Sequence, residues 1–346
     1  MSNVEKKQQY LDWYKKNNTL YLACAETIER LIKILLTESN TPYHSIESRI
    51  KTEESFLNKC LNEKYQDPVS EITDVCGLRI ITYTSHDVDT IRQIIEREFQ
   101  IDEANSIDKS KQMSEDQVGY LSIHYIAALK EERTKLAEYH AYAAIKFEIQ
   151  IRTLLQHAWA EIEHDRNYKF SGELPSEIKR RFYLVAGTLE LLDREFEEIS
   201  KDIDQYAKTV RQKTQTGNLD LPIDSTSLNE YLAIKFGDNH ALNRTFCNKD
   251  KDIIEELQNF GINALSDLDK IITDEIILSV ESFDDADNYL GLLRWIMMCD
   301  DPERYFKNAW KKDWDFMTLR EYKLLESINS NIRKVSNLIT IDDSDA

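Results

Sequence analysis

The sequence predicts an α+β protein with a mostly α-helical C-terminal region. Three observations carry that reading. Only 8 glycines and 5 prolines occur in 346 residues, too few breakers for a sandwich of short strands and few enough to permit long helices. Apolar residues recur at helical spacing at the start of the chain, near its middle and in the last third. Between them stand short runs rich in β-branched residues, of strand length.

The elements follow in chain order. Leu20, Leu22, Ala23, Ile28, Leu31, Ile32 and Leu35 stripe a helix over 4–36, which Asn40-Thr41-Pro42 ends. An alternating stretch at 43–51 precedes a helix over 52–65. VCGLRIITY, residues 75–83, reads as a buried strand. An amphipathic helix over 86–99, a strand over 100–107 and strands over 119–129 and 145–152 come next. A helix covers 153–168, and a long one runs from 176 to about 212. Residues 213–227 are polar, contain Gly and Pro, and read as a linker. The expected organisation is therefore a domain over 1–212, the linker, and a helical, acidic domain over 228–346 in which Trp295, Trp310 and Trp314 with Tyr305 and Phe306 form an aromatic core.

Charge and cysteine usage bound the function. The net charge is −19, and residues 217–346 hold 26 acidic against 14 basic residues. The acidity is concentrated in the last third, so the front of the chain can hold a cationic pocket, although the total repels nucleic acid at long range. Five scattered cysteines without a CxxC pair read as reduced thiols in a cytoplasmic protein, not as a zinc site. MSNVEKKQQY has no apolar signal region and no apolar run approaches about 18 residues, so neither secretion nor a membrane is expected.

Several groups of residues carry chemistry. Period two places Lys146, Glu148, Gln150 and Arg152 on one face of a strand, with Phe147, Ile149 and Ile151 on the other. Asp74 stands at the mouth of another strand. Arg49 and Lys51 share strand parity, and Ser55 and Lys59 follow one turn apart, a grouping of cations near a helix start that suits polyphosphate. Tyr120, Ser122 and His124 alternate with Leu121 and Ile123, presenting an aromatic ring, a hydroxyl and an imidazole on one face; a ring beside Gly119 can stack on a base. His157, Glu161 and His164 have metal-like helical spacing, yet Glu161, Asp165 and Lys169 read equally as (i, i+4) surface partners. Each group alone is as compatible with a solvated face as with a site.

Their order is more specific. Arg49-x-Lys51-x-x-x-Ser55-x-x-x-Lys59, Asp74-x-x-Gly77-x-Arg79, Gly119-Tyr120-x-Ser122-x-His124, Glu148-Ile-Gln-Ile-Arg152-Thr153, and His157-Ala-Trp159-Ala with Glu163-His164-x-x-x-Tyr168-Lys169 together resemble the synthetase domain of the RelA/SpoT family over about residues 20–210, most nearly the small alarmone synthetases. The resemblance implies a mixed β-sheet flanked by helices, as in nucleotidyltransferases. It implies a Mg²⁺-dependent enzyme that moves pyrophosphate from ATP to the 3′-hydroxyl of GDP or GTP, making the alarmone (p)ppGpp. Asp74 and Glu148 would be the catalytic, metal-holding carboxylates, with Glu148 as base. Arg49, Lys51, Ser55, Lys59 and Arg79 would bind ATP. Tyr120, Ser122, His124, Gln150, Arg152 and His157 would bind the acceptor.

One departure bears on the acceptor. Where the family often has a lysine before Gly-Tyr, this chain reads Ser114-Glu115-Asp116-Gln117-Val118, with Lys109 and Lys111 displaced. Some relatives use the tRNA 3′ end or adenosine nucleotides as acceptors, and a non-catalytic nucleotide-sensing module is the reading from another class. Retention of both Asp74 and Glu148 favours an enzyme. The sequence leaves room for a homo-oligomer and for a protein partner or effector at the C-terminal domain.

Overall fold

The structure, a computed structural model, describes residues 3–108, 122–169, 175–237, 250–280, 289–311, 316–335 and 339–341. The chain divides into two compact units, Met1–Ile199 and Ser200–Ala346.

The first unit opens with helix α1 (Asn3–Glu38), whose Cys24, Ile28, Ile32 and Leu36 are fully buried. It ends where Asn40 takes a left-handed backbone, φ 49°, and the Thr41 N–H bonds the Leu36 carbonyl at 2.9 Å. Asn tolerates that conformation better than any β-branched residue, and Pro42 prevents continuation. Next come β1 (Ser45–Ile50), α2 (Glu53–Cys60), β2 (Cys76–Thr82) and α3 (Ser85–Glu98). A reciprocal cap fixes the start of α3: Thr84 Oγ1 accepts from the Asp87 N–H, and Asp87 Oδ2 from the Thr84 N–H at 3.0 Å.

The expected single strand over 100–107 is instead two short ones, β3 (Phe99–Ile101) and β4 (Ile107–Asp108). A turn between them is closed by the Ser106 N–H on the Asp102 carbonyl at 3.0 Å and by the Asp102 carboxylate on the Asn105 amide group at 2.9 Å. Asp and Asn side chains stabilise turns in this way, and this local bonding displaces the strand. Strands β5 (Ile123–Leu129) and β6 (Phe147–Thr153) complete the sheet, followed by α4 (Leu154–Lys169) and α5 (Ser176–Gln215).

The sheet is mixed, as expected, in the order β1-β2-β6-β5-β3, with β4 also on β5. Only β2 and β6 run parallel; the other pairs are antiparallel. Registers align Arg49 with Gly77, Gly77 with Glu148, Arg79 with Gln150, and Gln150 with His124. Residues paired in this way project to one side. The polar residues thus gather on one face, while Leu78, Ile80, Phe147, Ile149 and Ile151 are buried in the core on the other. Burial of each such side chain contributes about 1.5–3 kcal/mol, which fixes the register, because a slip by one would reverse every side chain.

Thr153 anchors the end of β6. Its hydroxyl donates to buried Asp193 Oδ2 of α5 at 2.8 Å and accepts from the Gln156 N–H at 3.1 Å, while Gln156 Oε1 takes the Thr153 N–H at 2.9 Å. One residue therefore ties the sheet to α4 and α5. Thr153→Val keeps the shape but removes the cap and one partner of a buried carboxylate. It should lower stability by about 1–3 kcal/mol in denaturant titration; an unchanged midpoint would assign the anchoring elsewhere.

The second unit is mostly helical: α6 (Ser225–Lys235), α7 (Asp250–Phe260), α8 (Leu265–Ile271), α9 (Asp274–Val280), α10 (Tyr289–Asp300) and α11 (Leu319–Ile328), with a two-stranded sheet of β7 (Phe316–Thr318) and β8 (Ile339–Ile341). Of the expected aromatic core, Trp295 and Tyr305 are fully buried and Phe306 and Trp310 pack against them; Trp314 lies outside the described residues. Trp295 donates its indole N–H to Ser279 Oγ at 2.8 Å, and buried Glu256 is held by Arg294 through two bonds of 3.0 and 2.5 Å.

The stretch expected to be a linker is packed. α5 closes at Gly217, φ 75°, as helices do on a left-handed glycine. Leu221 and Ile223 are buried in the second unit, and the Asp224 carboxylate caps α6. The division between units falls inside α5 because Tyr206 and Val210 already belong to the second core.

Candidate active site

Two carboxylates stand at neighbouring positions of the polar face. Asp74 lies just before β2, and Glu148 is the second residue of parallel β6. A methyl group at Gly77 would stand 4.0 Å from Glu148 Oε2, so the carboxylate lies over that residue. The charge of Asp74 pushes the Glu148 pKa upward against a net lowering, so Glu148 stands in the field of Asp74.

Asp74 is held by lysines. Its Oδ2 lies 2.7 Å from Lys59 Nζ and 3.2 Å from Lys51 Nζ. Lys59 occupies the last turn of α2, which Thr52 caps by accepting the Ser55 N–H at 3.2 Å. The Lys51 backbone is fixed on both sides: its N–H bonds the Val75 carbonyl at 2.9 Å, and its carbonyl accepts from Tyr14 at 2.7 Å. Burial, the largest influence, would raise the Asp74 carboxyl, but the Lys59 hydrogen bond and both lysine charges outweigh it and hold the group below the usual range. Asp74 Oδ1 is buried with no hydrogen-bond partner.

Glu148 ends a chain of hydrogen bonds across β5 and β6. Its Oε1 lies 2.9 Å from His124 Nδ1, and its Oε2 accepts from Gln150 Nε2 at 2.8 Å. Gln150 Oε1 accepts in turn from Arg152, and His124 Nε2 lies 2.9 Å from Ser122 Oγ. Burial would raise the Glu148 carboxyl; the bond and charge of His124 and the Gln150 bond outweigh it, so the pKa is lowered. An ionised Glu148 can only accept, which makes His124 Nδ1 the donor. His124→Ala removes the largest lowering influence and leaves the Gln150 bond alone against burial and Asp74, both of which raise the pKa. The acid limb of the rate profile, measured at saturating substrates, should then move to higher pH; an unmoved limb would separate Glu148 ionisation from turnover.

A third group is cationic. Arg79 Nη1 pairs with Glu161 Oε1 at 3.0 Å, and His157 Nδ1 is 3.9 Å from the same oxygen. Arg152 is buried and pushed down to about 10, by burial first and then by the Arg79 charge. Burial, followed by Arg79, also lowers His157. Arg49 and Ser55 are exposed, and the Arg49 charge acts on Arg152. Tyr120 lies outside the described residues. Thus Asp74 meets Lys51 and Lys59; Glu148 meets His124 and Gln150, and through them Ser122 and Arg152; and Arg79 and His157 share Glu161. Sequence reasoning placed Glu161 as a surface partner of its own helix; its Arg79 contact depends on packing between α4 and β2, which local spacing does not encode.

Among the described residues no three His, Cys, Asp or Glu side chains cluster as metal ligands. The donor chemistry still suits a hard cation. Mg²⁺ typically takes one or two carboxylates and completes its shell with water and phosphate oxygens, and Asp74 Oδ1 is a buried carboxylate oxygen without a protein partner.

A family profile described as a region found in RelA / SpoT proteins matches residues 48–173, which contains Asp74, Glu148, Arg79 and their side-chain partners. GTP pyrophosphokinase YjbM of Bacillus subtilis is 30% identical over 182 residues, 51% of this chain and 81% of that protein. GTP pyrophosphokinase YwaC of the same organism is 26% identical over 202 residues, 56% of this chain and 92% of that one. Among solved structures, the small alarmone synthetase 1 of Bacillus subtilis bound to its product pppGpp is 26% identical, with a TM-score of 0.45 over 55% of this chain and 98% of that one. By its identity to YjbM over most of that protein's length, the chain belongs to the RelA/SpoT family.

Proposed function

We propose that the first unit transfers pyrophosphate from ATP to the 3′-hydroxyl of GDP or GTP, releasing AMP and forming (p)ppGpp. The observation that carries this reading is the presence on one sheet face of two ionised carboxylates with separate partners, Asp74 held by Lys51 and Lys59, and Glu148 held by His124 and Gln150. Relatives named as GTP pyrophosphokinases support it.

In this reading Glu148 takes the proton of the acceptor hydroxyl as its oxygen bonds the β-phosphorus of ATP. The bond from that phosphorus to the α–β bridging oxygen breaks, and AMP leaves. A sugar hydroxyl is a poor nucleophile and gains from a fixed carboxylate base. Lys51 and Lys59 bind the donor phosphates, helped by Ser55, and Arg49 and Arg79 stack on adenine, for which a guanidinium plane is suited. Gln150 and Arg152 hold Glu148 in position, while His124, Ser122 and His157 face the acceptor. Asp74 and Glu148 would hold Mg²⁺, which when bound neutralises charge on the phosphate oxygens.

Incubating the full chain with labelled ATP, Mg²⁺ and, separately, GDP, GTP, ADP and deacylated tRNA tests the reading. A 3′-pyrophosphorylated guanosine nucleotide with stoichiometric AMP is expected; labelling of tRNA or ADP alone would replace the acceptor. Tyr120→Ala should raise the acceptor KM by the equivalent of about 1–3 kcal/mol, the scale of one stacked base, and leave ATP binding largely intact. Weakened ATP binding instead would reverse the two pockets.

A further inference from the structure

The first turns of α1 do not join the main core, whose buried α1 residues begin at Cys24. Tyr14 is buried instead in a second, smaller cluster with Phe56 and Cys60 of α2 and with Ile72 and Val75 ahead of β2, and Tyr10 and Trp13 pack against it. Trp13 stacks on Phe56 with ring centres 5.3 Å apart, and Tyr14 meets the same ring at 5.4 Å. Such aromatic pairs add to what their buried area contributes. The cluster thus joins the three segments that carry the donor side of the site: the end of β1 with Lys51, α2 with Ser55 and Lys59, and the approach to β2 with Asp74.

A polar bond leads from this cluster to the site. Tyr14 donates its hydroxyl hydrogen to the Lys51 carbonyl at 2.7 Å. That carbonyl belongs to the peptide leading into Thr52, the N-cap of α2, where strand gives way to helix. On the other side, the Lys51 N–H is bonded to the Val75 carbonyl at 2.9 Å. Both peptide groups flanking the Lys51 Cα are therefore oriented, which sets the direction in which its side chain leaves the backbone. From that start the Lys51 ammonium reaches Asp74 Oδ2 at 3.2 Å. A lysine is a point charge on a flexible four-carbon stem, so its placement depends on the backbone that bears it.

We propose that Tyr14 is a positioning residue for ATP: through the Lys51 carbonyl, its hydroxyl holds the Lys51 ammonium where the donor phosphates bind. The proposal rests on the reading of Lys51 as a ligand of those phosphates. It divides the work of the cluster in two. The apolar members hold the three segments together and act on stability. The Tyr14 hydroxyl acts on the direction of one cation and hence on affinity for a polyphosphate, because the attraction between ammonium and phosphate weakens as their separation grows.

Calorimetry of the full chain with Mg²⁺ and α,β-methylene ATP, an analogue that cannot transfer its pyrophosphate, tests the proposal without an acceptor. Tyr14→Phe keeps the ring in the cluster and removes only the hydroxyl. It should weaken binding of the analogue at least about threefold, the scale of one lost hydrogen bond. Lys51→Ala should bind the analogue less tightly than the native chain, and adding Tyr14→Phe to it should weaken binding no further, because the hydroxyl acts through Lys51. Ile72→Val trims the same cluster and should lower the melting midpoint while leaving affinity for the analogue as it is. Unchanged affinity in Tyr14→Phe, an equal loss from Tyr14→Phe in the native and Lys51→Ala chains, or an equal loss from Ile72→Val would each overturn the proposal. Native affinity in Lys51→Ala would overturn it together with the phosphate-binding role of Lys51. A native chain that binds the analogue but transfers nothing from ATP to GDP or GTP would overturn the acceptor assignment alone.

Discussion

Glu148→Gln should lower turnover at least about a hundredfold while ATP binding changes little, the scale of a lost general base. The substitution keeps the side chain's size but not its basicity. The amide oxygen still accepts from His124, whose Nδ1 lies 2.9 Å from the native carboxylate. The amide nitrogen, however, meets the Gln150 amide, which donates to Glu148 Oε2 in the native chain. Gln150 can relieve that conflict by rotating its own amide, but it then turns a nitrogen toward Arg152, which it now accepts from. A stability loss on the order of 1 kcal/mol is expected alongside the catalytic one, the scale of one rearranged hydrogen bond. Calorimetry with ATP separates the two effects: a folded protein that binds ATP and does not turn over is the expected result. Near-normal turnover would remove Glu148 from the chemistry.

Much of this site was legible because strand parity is a strictly local rule. Knowing only that residues 145–152 form a strand suffices to set Glu148, Gln150 and Arg152 against Phe147, Ile149 and Ile151, and the latter three are fully buried. The pairing of Asp74 with Lys51 and Lys59 was legible only as membership of an ordered motif, since spacing alone does not say that a strand end, a strand mouth and a helix converge. The Arg79–Glu161 and Thr153–Asp193 contacts were not legible at all. They depend on where α4 and α5 pack on the sheet, a long-range outcome that many sequences with the same helical pattern would not share.

Composition and packing divide the chain at different places, for a physical reason. Composition marks breakers, and the Gly- and Pro-containing stretch after residue 212 is the only prominent break in that part of the chain. Contacts divide the chain at Ile199, within a continuous helix. The apolar steps of α5 continue through Ile203, Tyr206 and Val210, so the sequence carries no mark where one core ends and the next begins. The polar stretch itself is drawn into the second core by two residues, Leu221 and Ile223, and bonded there: the Ile223 N–H bonds the Asn263 carbonyl at 3.0 Å and the Leu265 N–H the Leu221 carbonyl at 2.9 Å.

Asp74→Asn should also lower turnover at least about a hundredfold, the scale of a lost metal ligand, but with a different signature from Glu148→Gln. Asp74 is the shared counter-charge of Lys51 and Lys59. With a neutral amide in its place, two partly buried ammonium groups face each other without an anion, and that cost appears as stability. The sign follows from the shifts. The Asp74 pKa is lowered on folding, so its contribution is present above the unfolded value and lost as pH falls through the folded one. Burial opposes the Lys59 shift, but the Asp74 bond and charge prevail and raise its pKa, so its contribution is present below the unfolded value and lost as pH rises through the folded one. The stability difference between the native chain and Asp74→Asn should therefore be level from about pH 5 to about pH 9 and shrink outside that window. ATP binding without metal should hold or strengthen, because both lysines are released toward phosphate, whereas the gain in ATP affinity on adding Mg²⁺ should fall. Full retention of that Mg²⁺-dependent gain would show that Asp74 serves only as the lysine counter-ion.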